Sequence, residues 1–262
     1  MCRWIAYRGD PIPLECYVTE PSHSLIKQSF DALESAGSTN GDGFGLGWYG
    51  DQLEPGLFRD LRPAWSDENL RHLCRHIRSH LFFAHVRAST GTAITRANCH
   101  PFASGKWMFM HNGFVGDWQR LRREVESLIP DDLYASRAGT TDSEAVFLAM
   151  LGAGLATSPV DATARVLSTI SAMVTRGSGH ERLRFTAALT DGHDLYAFRY
   201  AVNDSANSLY YRPVRSGVVI VSEPLDREPS NWTPVPENSV LVATAGRPAT
   251  VQPLFQDCRA VA

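Results

Sequence analysis

The sequence lacks a cysteine framework. Its five cysteines, at positions 2, 16, 74, 99 and 258, form no CxxC pair and are odd in number, which argues against a disulfide scaffold and fits a reducing compartment. A zinc site is not expected either: Cys99 and His100 are adjacent, and adjacent side chains of an extended segment point to opposite faces. No apolar run approaches the ~18 residues of a membrane span, and no charged-then-apolar leader opens the chain. A cytoplasmic location without membrane contact is the expectation. Charge of one sign is also missing. A net charge of −3, with 25 basic residues spread over the length, offers no stripe for nucleic acid. The basic runs at 71–78 and 120–123 coincide with helical patterning and read as solvated helix faces. Repeats, low-complexity tracts and Gly/Ser-rich linkers are absent, so residues 1–262 read as one domain.

Between those absences the pattern alternates in type. A first strand is expected over Cys2–Gly9. A helix opened by Ser22 runs to about Ser35, with Leu25, Phe30 and Leu33 turned inward. Helical periodicity returns at 66–79, 116–128, 142–155 and 160–176. Short apolar strands are expected at 81–88, 106–114, 184–190, 194–200, 208–212, 217–222, 239–243 and 250–255, with a hairpin at Asp191-Gly192. Strands at both ends with helices between them predict an α+β fold of two helix-covered sheets.

Residues 38–49 change texture. Gly41, Gly43, Gly45 and Gly47 recur at every second position, leaving one strand face without side chains where another backbone or a ligand can approach. A nucleotide loop is disfavoured, because the spacing is not GxGxxG leading into a helix and no P-loop lysine follows.

Two apolar strands carry polar residues that need partners. In 81–88 these are His85 and Arg87, and an arginine there demands either an open strand end or an anion. In 106–114 they are His111 and Asn112, followed by Gly113. An Asn-Gly pair is a common hairpin corner; it can equally aim the Asn112 amide and the Gly113 N–H at an oxygen that becomes negative during acyl transfer. Arg87 and Asp142 together suit an α-carboxylate and an α-ammonium, although Asp42 is an alternative partner for Arg87. His100 and His111 either shape a leaving-group pocket or satisfy core hydrogen bonds, the second being preferred. Loss of Met1 would give Cys2 a free α-amine beside its thiol. With ordinary pKa values of ~8.5 for the thiol and ~7.7–8.0 for the amine, one residue then supplies nucleophile and base.

Taken in order, Cys2, the run His85-Val-Arg87-Ala-Ser-Thr90, the triplet His111-Asn112-Gly113 and the run Thr141-Asp142-Ser143-Glu144 resemble the class II glutamine amidotransferases, which are N-terminal-nucleophile hydrolases. The resemblance implies a four-layer αββα fold, with two stacked, mainly antiparallel sheets between helical layers. It implies Cys2 as nucleophile, Asn112 and Gly113 as oxyanion hole, Arg87 and Thr90 on the substrate carboxylate and Asp142 on its amine, with no metal or organic cofactor. Thr141 with Glu144 also forms a capping-box pattern compatible with that role.

Two departures stand out. The arginine that many members carry just before the Asp of the glycine-rich segment is absent from Thr39-Asn-Gly-Asp42, and no large acceptor domain follows. The segments 40–48, 98–102 and 21–28 are similar to the stand-alone type that acts in fungal glutathione degradation and, more loosely, to the hydrolase of ergothioneine synthesis. That likeness implies a γ-glutamyl amide hydrolase acting on a small-molecule γ-glutamyl substrate. The alternative is a subunit that is silent, or supplies ammonia, only with a partner. A partner peptidase, an acceptor enzyme and a homodimer are all left open by the sequence.

Overall fold

A computed structural model describes residues 2–34, 39–89, 91–176 and 181–255. Thr90, Met1 and Cys258 lie outside the described residues. The strands are β1 (Arg3–Pro13), β2 (Phe44–Trp48), β3 (Gly56–Asp60), β4 (Arg78–Val86), β5 (Phe102–Ser104), β6 (Trp107–Val115), β7 (Leu183–Thr190), β8 (Leu195–Val202), β9 (Tyr210–Val214), β10 (Gly217–Val221), β11 (Thr233–Pro234), β12 (Ser239–Ala243) and β13 (Thr250–Pro253). The helices are α1 (Glu15–Val18), α2 (Leu25–Phe30), α3 (Glu68–His76), α4 (Trp118–Glu126), α5 (Asp131–Tyr134), α6 (Asp142–Gly152) and α7 (Pro159–Thr175). One antiparallel sheet has the order β11-β9-β10-β1-β4-β2-β3 and the other β13-β12-β8-β7-β6-β5.

Alternation along the central strands builds the layers. On β1, Ile5 and Tyr7 pack with Leu25, Ile26 and Leu70 beneath α2 and α3. Trp4 and Ala6 face the other way and meet Met108, Met110 and Ala197 of the second sheet, as the two-residue strand period requires. The outer face of the second sheet is closed by α4, α6 and α7; Phe109 of β6 stacks on Phe147 of α6 with ring centroids 5.3 Å apart. The result is helix, sheet, sheet, helix, the four-layer arrangement expected. Cys2 shares the inward-facing side of β1 with Trp4, so it opens into the gap between the sheets.

The glycine-rich strand is built as expected for close approach. A Cβ at Gly45 would lie 2.1 Å from the His100 carbonyl oxygen, so β2 can pass that backbone only without a side chain.

Several expectations need correction. The helix expected from Ser22 to Ser35 is only Leu25–Phe30, because Ser24 rather than Ser22 caps it and Asp31 leaves helical geometry; Ser35 is outside the described residues. Phe30 and Leu33 are consequently exposed. Asn112-Gly113 is no hairpin corner: both residues lie inside β6, paired with Thr186 and Phe185 of β7. Long-range pairing overrides the local turn preference of the dipeptide. Strands β3, β5 and β11 and the short helices α1 and α5 have no counterpart in the sequence expectation.

Candidate functional site

Cys2 sits where the first strand of the inner layer meets the end of β4. Its Sγ is 3.6 Å from the Ala88 carbonyl oxygen and accepts from the Ala88 N–H at 3.4 Å. Burial pushes the thiol above its ordinary value, against the Ala88 N–H and the positive charges of Arg87 and Arg3. Burial thus disfavours the thiolate, and a base that takes the thiol proton assists attack by the sulfur.

Arg87 follows β4 and is 3% exposed. Its Nη2 donates to Thr92 Oγ1 at 2.7 Å, Ser89 Oγ at 3.2 Å and the Ala93 carbonyl at 3.3 Å, while Nη1 has no partner. No carboxylate pairs with it among the described residues. Asp42, the alternative partner, instead accepts from the Ser89 N–H at 2.7 Å. A buried guanidinium with an unanswered N–H is a site for an anion.

Across the gap, β6 presents Asn112 on the same strand face as Met108 and Met110, so its amide faces the first sheet. The Asn112 carbonyl accepts from Asn207 Nδ2 at 2.9 Å, and the Asn112 side-chain Nδ2 is buried without a partner. Gly113 admits no side chain: a Cβ there would lie 2.0 Å from the Arg184 carbonyl oxygen and 2.4 Å from His111 Nε2. His111 points to the α6 side. Its Nε2 lies 3.1 Å from the Arg184 carbonyl, which can only accept, so Nε2 carries the proton and Nδ1 accepts from Ser143 Oγ at 2.8 Å. Burial lowers the His111 pKa, opposed by Asp142 and the Arg184 carbonyl.

Asp142 is the first residue of α6. Thr141 Oγ1 caps the helix by accepting from the Glu144 N–H at 3.2 Å. The capping box is only half made, since the Glu144 carboxylate turns to the N–H groups of Ala138 and Gly139. Asp142 Oδ2 accepts from the Val115 N–H and Oδ1 from the Ser143 N–H, both at 2.8 Å. Oδ1 also lies 3.3 Å from Ser143 Oγ, so Oδ2 is the oxygen that keeps a lone pair for a further donor.

Two more histidines lie beneath this surface. The His85 and His100 rings lie against each other, tilted by 31° with centroids 4.4 Å apart. Burial holds His85 down to about 3, and His100, with neither ring nitrogen partnered, is held well below its ordinary value for the same reason. Both His100 and His111 line the cavity; His111 satisfies core hydrogen bonds, as preferred from the sequence, whereas His100, for which the same was preferred, has neither ring nitrogen partnered.

A cavity of about 400 Å³ brings Cys2, Arg87, Gly113 and Asp142 together, with Trp118 and His100 on its wall. Asn112 lies directly behind Gly113 and is not itself part of the lining; Thr90 is outside the described residues. The volume suits a small metabolite. A thiol, a guanidinium and a carboxylate on its wall equip it to hold a zwitterionic head and present a carbonyl to sulfur. Among the described residues no three His, Cys, Asp or Glu side chains group as a metal site, and no helix is long and apolar enough to cross a membrane.

Sequence reasoning missed the supports. Arg3 is fully buried, with Nη1 on the Cys2 carbonyl at 3.0 Å and Nε on Glu223 Oε2 at 2.7 Å. Thr92 and Ser89 hold Arg87, and Asn207 holds Asn112. An arginine between Cys2 and the apolar Trp4-Ile5-Ala6 run was a signal that an acid must answer it; nothing local named Glu223.

Comparison with known proteins identifies the lineage. The family model described as class-II glutamine amidotransferases matches residues 18–211. The probable glutamine amidotransferase DUG3 of Saccharomyces cerevisiae is 34% identical, covering 92% of this chain and 81% of that protein. The gamma-glutamyl-hercynylcysteine sulfoxide hydrolase of Mycolicibacterium smegmatis is 29% identical over 92% and 95% of the two chains. A glutamine aminotransferase class-II domain protein from Silicibacter pomeroyi superimposes with a TM-score of 0.75 at 36% identity, covering 97% of this chain and 100% of its own. The phosphoribosylpyrophosphate amidotransferase of B. subtilis gives 0.68 at 12% identity over 98% of this chain and 50% of its own, a likeness of fold alone. The chain belongs to the class II glutamine amidotransferases.

Proposed function

We propose that this chain hydrolyses γ-glutamyl amides, with Cys2 as nucleophile once Met1 is removed, and that it does so as a single amidotransferase domain. The observation that carries the reading is the placement of Arg87 at the cavity of Cys2: a buried guanidinium whose Nη1 has, among the described residues, neither an acid nor a hydrogen-bond partner. That group accounts for an α-carboxylate, and Asp142, with a lone pair unused on Oδ2, accounts for the α-ammonium. Thr90, by its place two residues before Thr92, is proposed to join Arg87 on the carboxylate.

With the glutamyl head so held, its γ-carbonyl reaches the sulfur. The Cys2 α-amine takes the thiol proton, sulfur adds to the carbonyl carbon, and the oxyanion is met by Asn112 Nδ2 and the Gly113 N–H. Collapse breaks the C–N bond as the α-ammonium returns its proton to the leaving nitrogen, leaving a γ-glutamyl thioester. The same amine then deprotonates water, which displaces sulfur and frees glutamate. With the thiol raised by burial, the amine assists attack by taking its proton.

The named relatives favour a γ-glutamyl compound larger than glutamine as the physiological substrate, since one is a gamma-glutamyl-hercynylcysteine sulfoxide hydrolase. The matched family segment begins after Cys2, so the nucleophile rests on the strand geometry. Glutamate release from glutamine, glutathione and γ-glutamyl amines, compared between the native chain and Cys2→Ala, tests the proposal. Full turnover by the variant removes Cys2 from the reaction; no turnover by either leaves the partner-dependent subunit as the better reading.

A further inference from the structure

A second cavity, of about 790 Å³, opens at the other end of the layer between the sheets. Its walls come from Arg8, Gly9 and Asp10 of β1, His80 of β4, the β9–β10 hairpin and the turn between β12 and β13. Arg8 stands on the same face of β1 as Cys2, Trp4 and Ala6. Six residues of strand at ~3.3 Å each place it roughly 20 Å from Cys2, so this is a separate cavity.

Arg8 is 7% exposed. Its Nε donates to the His193 carbonyl at 2.6 Å. Neither Nη group has a hydrogen-bond partner, and no carboxylate pairs with Arg8 among the described residues. Both terminal nitrogens retain contact with solvent, since neither is a fully enclosed unpartnered atom. The neighbouring acids are otherwise engaged: Asp191 holds Lys106 at 2.9 Å and the N–H groups of His193 and Asp194, and Asp194 accepts from the Tyr196 hydroxyl at 3.4 Å. Arg215 and Arg247 also line the cavity, again without an ion pair among the described residues, and Asp10 is the single carboxylate on the described wall. Three guanidinium groups against one carboxylate is an unusual concentration in a chain of net charge −3. Asp194 and Asp191 lie near enough to favour the charge of Arg8, but neither forms an ion pair or hydrogen bond with its Nη groups among the described residues, which leaves both free for an outside oxyanion.

We propose that this cavity binds a small oxyanion-bearing molecule, a carboxylate or a phosphate ester, anchored by the two free Nη groups of Arg8 and flanked by Arg215 and Arg247. A planar guanidinium offers two parallel N–H bonds to either oxyanion. Tyr211, also on the wall, gives an aromatic surface for the body of the ligand. The site is distinct from the cavity of Cys2, and its occupancy does not depend on the hydrolytic reading.

Isothermal titration at low ionic strength, with inorganic phosphate, phenyl phosphate and succinate as probes, tests it. An Arg87→Met background removes anion binding at the first cavity. The expected result is saturable binding of a phosphate or carboxylate probe with Kd below about 1 mM, retained in Arg87→Met and weakened at least about tenfold by Arg8→Met. The exposed pair Arg215→Ala/Arg247→Ala, which does not touch the core, should weaken it as well and covers the case in which Arg8→Met fails to fold. Phosphate probes binding without succinate would assign a phosphate ester, and the reverse a carboxylate. No saturable binding of any probe, or binding unchanged by the Arg215/Arg247 pair and by a folded Arg8→Met, overturns the proposal.

Discussion

Arg3 and Glu223, 220 positions apart in sequence, form a buried ion pair at 2.7 Å, and the Nη1 of the same guanidinium donates to the Cys2 carbonyl. Glu223 Oε2 also accepts from the Glu34 N–H at 3.1 Å, while Oε1 accepts from the Leu33 N–H at 2.9 Å and lies 2.5 Å from His23 Nε2. The residue proposed as nucleophile is thus anchored through its own backbone to a carboxylate in the loop after β10.

Glu223→Gln should destabilise the chain by about 3–5 kcal/mol, because it strands a fully buried guanidinium; chemical denaturation reads this directly. Burial would raise the Glu223 pKa, but His23, the Leu33 N–H and Arg3 together carry it down from 4.5 to about 2. A carboxylate depressed on folding contributes stability above its unfolded value and loses it as pH falls. The native chain should therefore weaken between pH 4.5 and about 2, and Glu223→Gln should show a shallower loss over that window. An identical acid profile would contradict the assignment.

The buried histidines set a second, higher window. His85, His100 and His111 are all held below 6.5 by burial, so the unfolded chain binds protons there that the folded chain refuses. Stability is present in full above pH 6.5 and falls below it, for His85 down to about 3. The urea midpoint should be lower at pH 5 than at pH 7.5, and His100→Phe, which removes an imidazole with no partner, should flatten that difference. Equal midpoints in the native protein would contradict the buried, neutral state.

Asn112→Ala separates catalysis from stability. Its Nδ2 bonds nothing in the folded protein, so truncation leaves no donor stranded and should change stability by less than about 1 kcal/mol. Loss of an oxyanion donor should lower kcat about 10²- to 10³-fold. A large fall in melting temperature with kcat preserved would make Asn112 a structural residue. Gly113→Ala should damage both properties, since its Cβ would meet the Arg184 carbonyl at 2.0 Å.

Arg87→Lys keeps the charge and loses the fork. KM for a γ-glutamyl substrate should rise at least about tenfold. An unchanged KM removes Arg87 from the carboxylate.

Two helix-covered sheets were legible in local patterns such as the alternation on β1, β4 and β6, and the family, with the four-layer fold it implies, in four short motifs in a fixed order. Supports that depend on distant partners were not legible. Glu223 lies in a loop with no motif, and Asn207 reaches Asn112 across 95 positions. The Asn-Gly dipeptide signals a turn in isolation, yet pairing with β7 keeps it in a strand. The stretch after Ser22 has helical periodicity to Ser35, but Ser24 and Asp31 bound the helix at six residues, and Phe30 and Leu33 are left on the surface.

Mass spectrometry of active protein treated with a γ-glutamyl electrophile, such as a glutamine-like diazoketone, tests the central claim most directly. The account predicts a single adduct on Cys2 of chains that begin at that residue, with activity lost in proportion to labelling. Adduct on another side chain, or full activity in chains that still carry Met1, would contradict it.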